Sequence, residues 1–425
     1  MIFRNIPKSK VISLFIILVT SLLLNDYYQN SLAIVDSYRG ISFNSHGAIF
    51  TIIQLMLVVI FLLLLPAETK KPSDLASVII FLFFYIPALL HGAHNFSNIW
   101  SAISLVAFST VSYLSFLLFL KIPIPFIKID LFSHQALEIV KFLLIVLIIS
   151  YSIFQLSNSL NSIIAFDIQA FYEQRVATRA EESTLKMYIL VIARSLILLW
   201  VIDIFFTNNS IWLKLFALFL VLIILLSQIL VLFVRSHIFI TFLIFLIGLG
   251  FKFKKLDIHY IAIGVMFIVL VCMFLDLIIG KDLFTYSIIR RIFILPGIIS
   301  GFYIDFFLSF GEYFDFRETL ALPYLVGGFA ELGHFDMNMS SNMWSLSFGY
   351  YGLPGLLMTS FLAALILRIF DNFKPRASLF AYLSVTFICL IWVESSIWTS
   401  MLSSGIFFIT MYFIILNYLS NITEK

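Results

Sequence analysis

Two arginines four residues apart, Arg175 and Arg179, are the first groups in this sequence whose type and spacing suggest chemistry. On a helix they share one face, and two guanidiniums on one face form a bidentate site suited to phosphate. They lie in FDIQAFYEQRVATRAEEST, beside Tyr172. Glu173, Glu181 and Glu182 offer the plainer alternative, internal pairing along a solvated amphipathic helix. A second pair, Arg290 and Arg291, is adjacent and embedded among Ile, Phe and Leu in FTYSIIRRIFILPGIISGFYIDFF. Pro296, Gly297 and Gly301 break this stretch too often for a clean span. It suits a helix lying at the outer interface, apolar side down. Its arginines then anchor headgroups, or at least one points into a polar cavity.

Arg235, with His237 in LFVRSHIF, sits between two apolar windows with almost no connection. Deep in a bilayer an arginine costs about 2.5–3.5 kcal/mol, so it either snorkels outward or serves an anion. Arg194, in VIARSLILLW, poses the same question from the first turns of its helix. Glu331, His334 and Asp336 share the segment AELGHFDMN. A histidine flanked by carboxylates can move protons, although a lone surface histidine is usually ordinary. Zinc needs three or four converging ligands, so no metal site and no cofactor is expected. Asp203 and Glu394 are isolated acids in apolar surroundings. Walker, GxSxG, HExxH and CxxC patterns are absent, so nucleotide hydrolysis is not visible. Cys272 and Cys389 fall inside apolar runs and read as packing residues.

The elements that must position these groups are membrane helices. Of 425 residues, 62% are hydrophobic and 12% charged, with a mean hydropathy of +1.09. A soluble protein carries about 25% charged residues, so a soluble enzyme is excluded and an all-α polytopic membrane protein is expected. The net charge of +3 suggests no nucleic acid. Apolar windows fall at 11–25, 47–66, 75–92, 99–120, 139–158, 187–206, 213–233, 237–251, 259–280, 343–369, 379–399 and 401–419. These predict about 12 transmembrane helices in a single membrane domain, residues 1–425. The first window follows Arg4, Lys8 and Lys10 and reads as an uncleaved helix.

Lysine and arginine are retained on the cytoplasmic side. With both termini inside, the short inner connections hold Lys70, Lys71, Lys121, Lys252, Lys254, Arg368 and Lys374 among others. The short outer connections hold only Arg39 and Arg235. Two long outer loops remain, 159–186 and 281–342, rich in Arg, Asp, Glu, Tyr and Phe.

This outline resembles the bacterial O-antigen polymerases of the Wzy type, relatives of the O-antigen ligases. The resemblance rests on three stretches. IIRRIFILPGIISGFYIDFF is similar to the family's arginine–proline–aromatic segment. NMSSNMWSLSFGYYGLPGLL is similar to the segment in which an asparagine, here Asn342, precedes a helix that begins with F-G-x-x-G. VRSHIFITFLIFL is similar to the family's arginine at a helix start, although Val234 stands where serine is usual. Ligases place a histidine directly before that asparagine; Ser341 holds the position here, which favours the polymerase.

The resemblance implies a metal-independent glycosyltransferase of GT-C-like architecture in the inner membrane, with two large periplasmic loops. It would join undecaprenyl-diphosphate-linked oligosaccharide donor and acceptor units, beside membrane lipid and with a chain-length regulator protein as a partner. Arg235, Arg290, Arg291 and His334 are the expected catalytic residues. Tyr172, Arg175, Arg179, Arg194, Glu331, Asp336 and Asn342 are the expected substrate-binding residues. A ligase-like transferase and a lipid-linked oligosaccharide flippase are the alternatives. A flippase should spread its charges along several cavity-lining helices, whereas this chain concentrates them in two outer loops.

Overall fold

The computed structural model describes residues 7–37, 41–122, 193–232, 236–253, 256–282, 284–310, 342–371 and 378–422, together with the single residues 146, 150 and 326. Among the described residues the chain forms helices and no strand. Among the described residues six helices are long and apolar enough to cross a membrane. They are α1 (Lys8–Val35), α3 (Pro72–Asn95), α4 (Ile99–Leu120), α8 (Ile258–Ile279), α9 (Thr285–Ser309) and α10 (Ser345–Asp371). The shorter helices are α2 (Ala48–Leu64), α5 (Leu198–Thr207, continuing a π-helical turn at Ala193–Ile197), α6 (Ile211–Leu232), α7 (Ser236–Lys252), α11 (Ser378–Glu394), α12 (Ile397–Ser403) and α13 (Ile406–Ile422). Each apolar window of the sequence coincides with a described helix, in whole or part, except 139–158, of which only residues 146 and 150 are described.

The chain divides into two compact units. One comprises residues 1–124, 255–368 and 389–397; the other comprises 125–254, 369–388 and 398–425. In the first, α3 is buried along its most apolar stretch. Pro87 in its interior removes a backbone donor, and the chain answers with π-helical turns at Phe81–Tyr85 and Pro87–His91. Tyr85 of α3 packs with Phe61 of α2 and Tyr113 of α4, the three rings at centroid separations of 4.7–5.4 Å. Where α2 ends, Lys10 Nζ donates to the carbonyls of Leu63 and Leu65 at 2.7 and 2.6 Å. A cation there satisfies carbonyls that the helix itself leaves open. In the second unit, Trp200 packs on Tyr412 at 4.9 Å, and Phe370 on Phe413 at 4.3 Å.

Two elements depart from the sequence expectation. The stretch after Arg290 is not broken: α9 runs unbroken through Pro296, Gly297 and Gly301. Residues Thr285–Ile294 are π-helical, and Pro296 enters where the register returns to α, next to the change in hydrogen-bond spacing. Gly297 faces the backbone of Pro87 and Ala88, where any Cβ would collide with main chain. The glycines therefore serve close helix packing rather than breakage. α9 adds a membrane-length helix inside the expected outer loop 281–342.

The second departure is α10, whose window 343–369 reads as one span. Gly352 adopts φ 59°, ψ −143°, a conformation open essentially to glycine alone. Trp344 Nε1 donates to Ser360 Oγ at 2.8 Å. Sixteen residues of straight helix would separate these groups by about 24 Å. The first turns of α10 therefore fold back on the rest as a helical hairpin. Gly355 lies against the Ser347 carbonyl, where a Cβ would not fit.

Candidate functional site

The head of α9 carries the best-defined cluster of charge. Asp276, in the last turn of α8, accepts from the backbone N–H groups of Phe284 and Thr285, both at 2.7 Å. A carboxylate at a helix N-terminus satisfies orphan donors and complements the dipole. It fixes where α9 begins. Gly280, with φ 69°, makes the turn between α8 and α9.

Within the first turns of α9, Arg290 and Asp36 meet. Arg290 Nε lies 2.7 Å from Asp36 Oδ2, with the two side chains 6% and 0% exposed. Tyr286, one turn earlier, donates its hydroxyl to Asp36 Oδ1 at 2.9 Å. The Arg290 guanidinium also stands over the Tyr286 ring, 4.5 Å from its centroid. Asp36 follows directly on α1. One carboxylate thus ties the end of α1 to the head of α9 through a cation and a phenol. The Arg290 Nε–H bond is not aligned on the carboxylate, so the attraction is coulombic more than directional. Arg291, the next residue, is exposed.

The connection between α1 and α2 is clamped beside this cluster. Asn95 Oδ1 accepts from Ser42 N at 2.9 Å and from the Tyr28 hydroxyl at 3.0 Å. His94 Nδ1 lies 3.0 Å from the Asn44 carbonyl, and His46 Nε2 lies 3.1 Å from the Ala93 carbonyl. The two imidazoles stack at 6.0 Å. His91, fully buried, contacts Asn25 Oδ1 at 2.7 Å. Among the described residues no group of His, Cys, Asp and Glu could hold a metal ion.

Asn342 caps the re-entrant turns of α10. Its Oδ1 accepts from the N–H groups of Trp344 and Ser345 at 2.9 and 3.1 Å, and its Nδ2 donates to Ser300 and Ser345 at 2.5 and 2.9 Å. It is 2% exposed. This is an N-cap in the core, with its hydrogen-bonding capacity used inside the fold. Between α4, the far half of α9 and the hairpin lies an apolar cavity of about 420 Å³, walled by Phe108, Ile304, Phe307, Phe348 and Leu356. From Arg290 to Ile304 the helix advances about 21 Å.

Of the residues singled out in the sequence, the structure places Arg290 and Arg291 at the α9 head and Asn342 in the core. Arg194 lies in the π-helical turn Ala193–Ile197 that opens α5, in the other unit. Tyr172, Arg175, Arg179, Arg235, Glu331, His334 and Asp336 lie outside the described residues. Sequence reasoning missed Asp36 and Tyr286. The signal was available for Asp36, an acid directly after an apolar helix and on the same expected side as Arg290. Comparison with protein-family models, with curated proteins and with solved structures found no match.

Proposed function

We propose that this chain is a membrane glycosyltransferase that joins undecaprenyl-diphosphate-linked repeat units into polysaccharide at the periplasmic face of the inner membrane. The observation that carries the reading is the arginine pair at the head of α9. Arg290 is held by Asp36 and Tyr286, and Arg291 beside it is exposed. The first cation is tied to the end of α1; the second stands at the surface of the same turn, where the proposed diphosphate would meet it. The apolar cavity farther along α9 suits part of a long isoprenoid chain.

In the proposed reaction an acceptor hydroxyl attacks the anomeric carbon of the donor chain. A carbon–oxygen bond forms, and the bond from that carbon to the phosphate oxygen breaks. The lipid diphosphate leaves with the electron pair, and the hydroxyl proton passes to a base, for which His334 is the candidate. Arginines facing the diphosphate stabilise the charge that develops on it. The donor is already activated, so no nucleotide is required.

The test is the lipopolysaccharide ladder of a strain lacking the protein. Collapse to one repeat unit supports the polymerase. Loss of all attached glycan with accumulation of lipid-linked polymer would instead mean a ligase. Loss of the glycan with single lipid-linked units held inside would mean a flippase.

A further inference from the structure

A second cavity lies at the opposite end of the first unit, where α2, α3, α4 and α10 present their basic ends. It measures about 480 Å³ and gathers Lys70, Lys71, Lys121 and Arg368 above a wall that includes Leu114 and Leu117. The four cations come from three separate places: the connection after α2, the end of α4 and the far part of α10. The sequence assigns them only to topology. A topological bias asks for positive charge on one side; it does not ask for convergence on one cavity.

Local chemistry fixes the positions of two of them. Asp74 Oδ2 accepts from the backbone N–H groups of Lys70 and Lys71, both at 3.0 Å. That carboxylate is thereby committed to capping α3, and it sets where the two lysines leave the chain. Glu68 pairs with Lys70 at 3.3 Å, with side chains 65% and 76% exposed. A pair so exposed is weak and rearranges readily. Four cations against Asp74, Glu68 and Asp371, which stands one turn beyond Arg368 on α10, leave an excess of one positive charge. The leucine wall beneath is apolar surface.

We infer that this cavity binds one anionic phospholipid of the leaflet it faces, its phosphate among the four cations and the upper part of an acyl chain along the leucines. Charge complementarity selects the anion, and the apolar wall selects a lipid over a soluble phosphate. This site lies apart from the α9 head and stands whether or not the chain is a polymerase.

The full chain, reconstituted in phosphatidylcholine doped with phosphatidylglycerol and released for native mass spectrometry, tests the inference. Wild type should retain phosphatidylglycerol selectively. Lys71→Gln/Lys121→Gln should retain it about tenfold to thirtyfold less well, from two cations at about 1 kcal/mol each. Lys214→Gln/Lys252→Gln removes the same charge elsewhere, from exposed or half-exposed lysines on α6 and α7, and should match wild type. Equal retention in both double variants, or equal loss, overturns the site in favour of diffuse surface charge. Displacement of the lipid by inorganic phosphate as effectively as by phosphatidylglycerol in detergent overturns the lipid assignment. Unchanged melting temperatures show that both variants remain folded.

Discussion

Replacing Arg290 with Ala should damage the fold, not only the chemistry. At 2.7 Å, two unit charges in an effective dielectric of about 20 attract by about 6 kcal/mol. Burial costs each ion several kcal/mol, so the intact pair stands near break-even. Removing one partner forfeits the attraction and leaves the other charge desolvated, which costs about 3–5 kcal/mol. Arg290→Ala and Asp36→Ala should therefore each lower the melting temperature of the purified chain. At roughly 2–4 °C per kcal/mol, the drop is on the order of 6–20 °C. Exchanging both for apolar residues of similar size, Asp36→Leu with Arg290→Met, should recover most of that loss. Thermal unfolding in detergent, followed by loss of monodisperse elution, measures it. An unchanged melting temperature for Arg290→Ala would refute the buried-pair argument. So would a double variant less stable than either single one.

Arg291→Ala, at an exposed position, should lower melting far less than Arg290→Ala and abolish polymer in the ladder assay, while Arg291→Lys keeps the charge, loses the fork and restores polymer partly. Tyr286→Phe removes one hydrogen bond to a charged group and should cost about 1.5–3 kcal/mol by the same thermal measurement. Gly352→Ala meets a φ of 59° with ψ near −143° and should destabilise by about 1–3 kcal/mol, seen as a lower melting temperature. Asn342→Leu deprives two N–H groups of their acceptor and should lose about 1–2 kcal/mol; stability equal to wild type would remove it from the capping role.

The helices were legible because bilayer thickness imposes long apolar windows, and those windows landed on α1 to α4, α6 to α8 and most of the rest. What misled was punctuation. Pro296 and Gly297 look like breakers in α9, yet a π-helical register and the backbone of Pro87 and Ala88 make them packing devices. Gly352 does break α10, and the signal was present in GYYGLPG. The long apolar context concealed it, since hydropathy averages over a window and a fold-back leaves the average intact. The site was half legible. A pair of arginines among isoleucines announces something unusual, but their partner is 254 residues away at Asp36 for Arg290, and sequence spacing carries no trace of such a pairing.

That pairing changes what adjacent arginines mean. Successive residues of a helix, π-helical turns included, point in different directions, so an arginine fixed inward turns its neighbour another way. Here the inward residue is spent on Asp36 and Tyr286, and the neighbour is exposed. Headgroup anchoring needs neither arrangement, because a flexible lysine anywhere near the helix end supplies the charge. Under the proposed reading an outward guanidinium meets a group of fixed geometry, a diphosphate, with its planar fork. Burying one arginine to orient the other costs little net stability, since the pair breaks even. It concentrates the loss in any variant that keeps only one partner. The same reasoning separates the two residues by experiment: Arg290 should report through stability, and Arg291 through product.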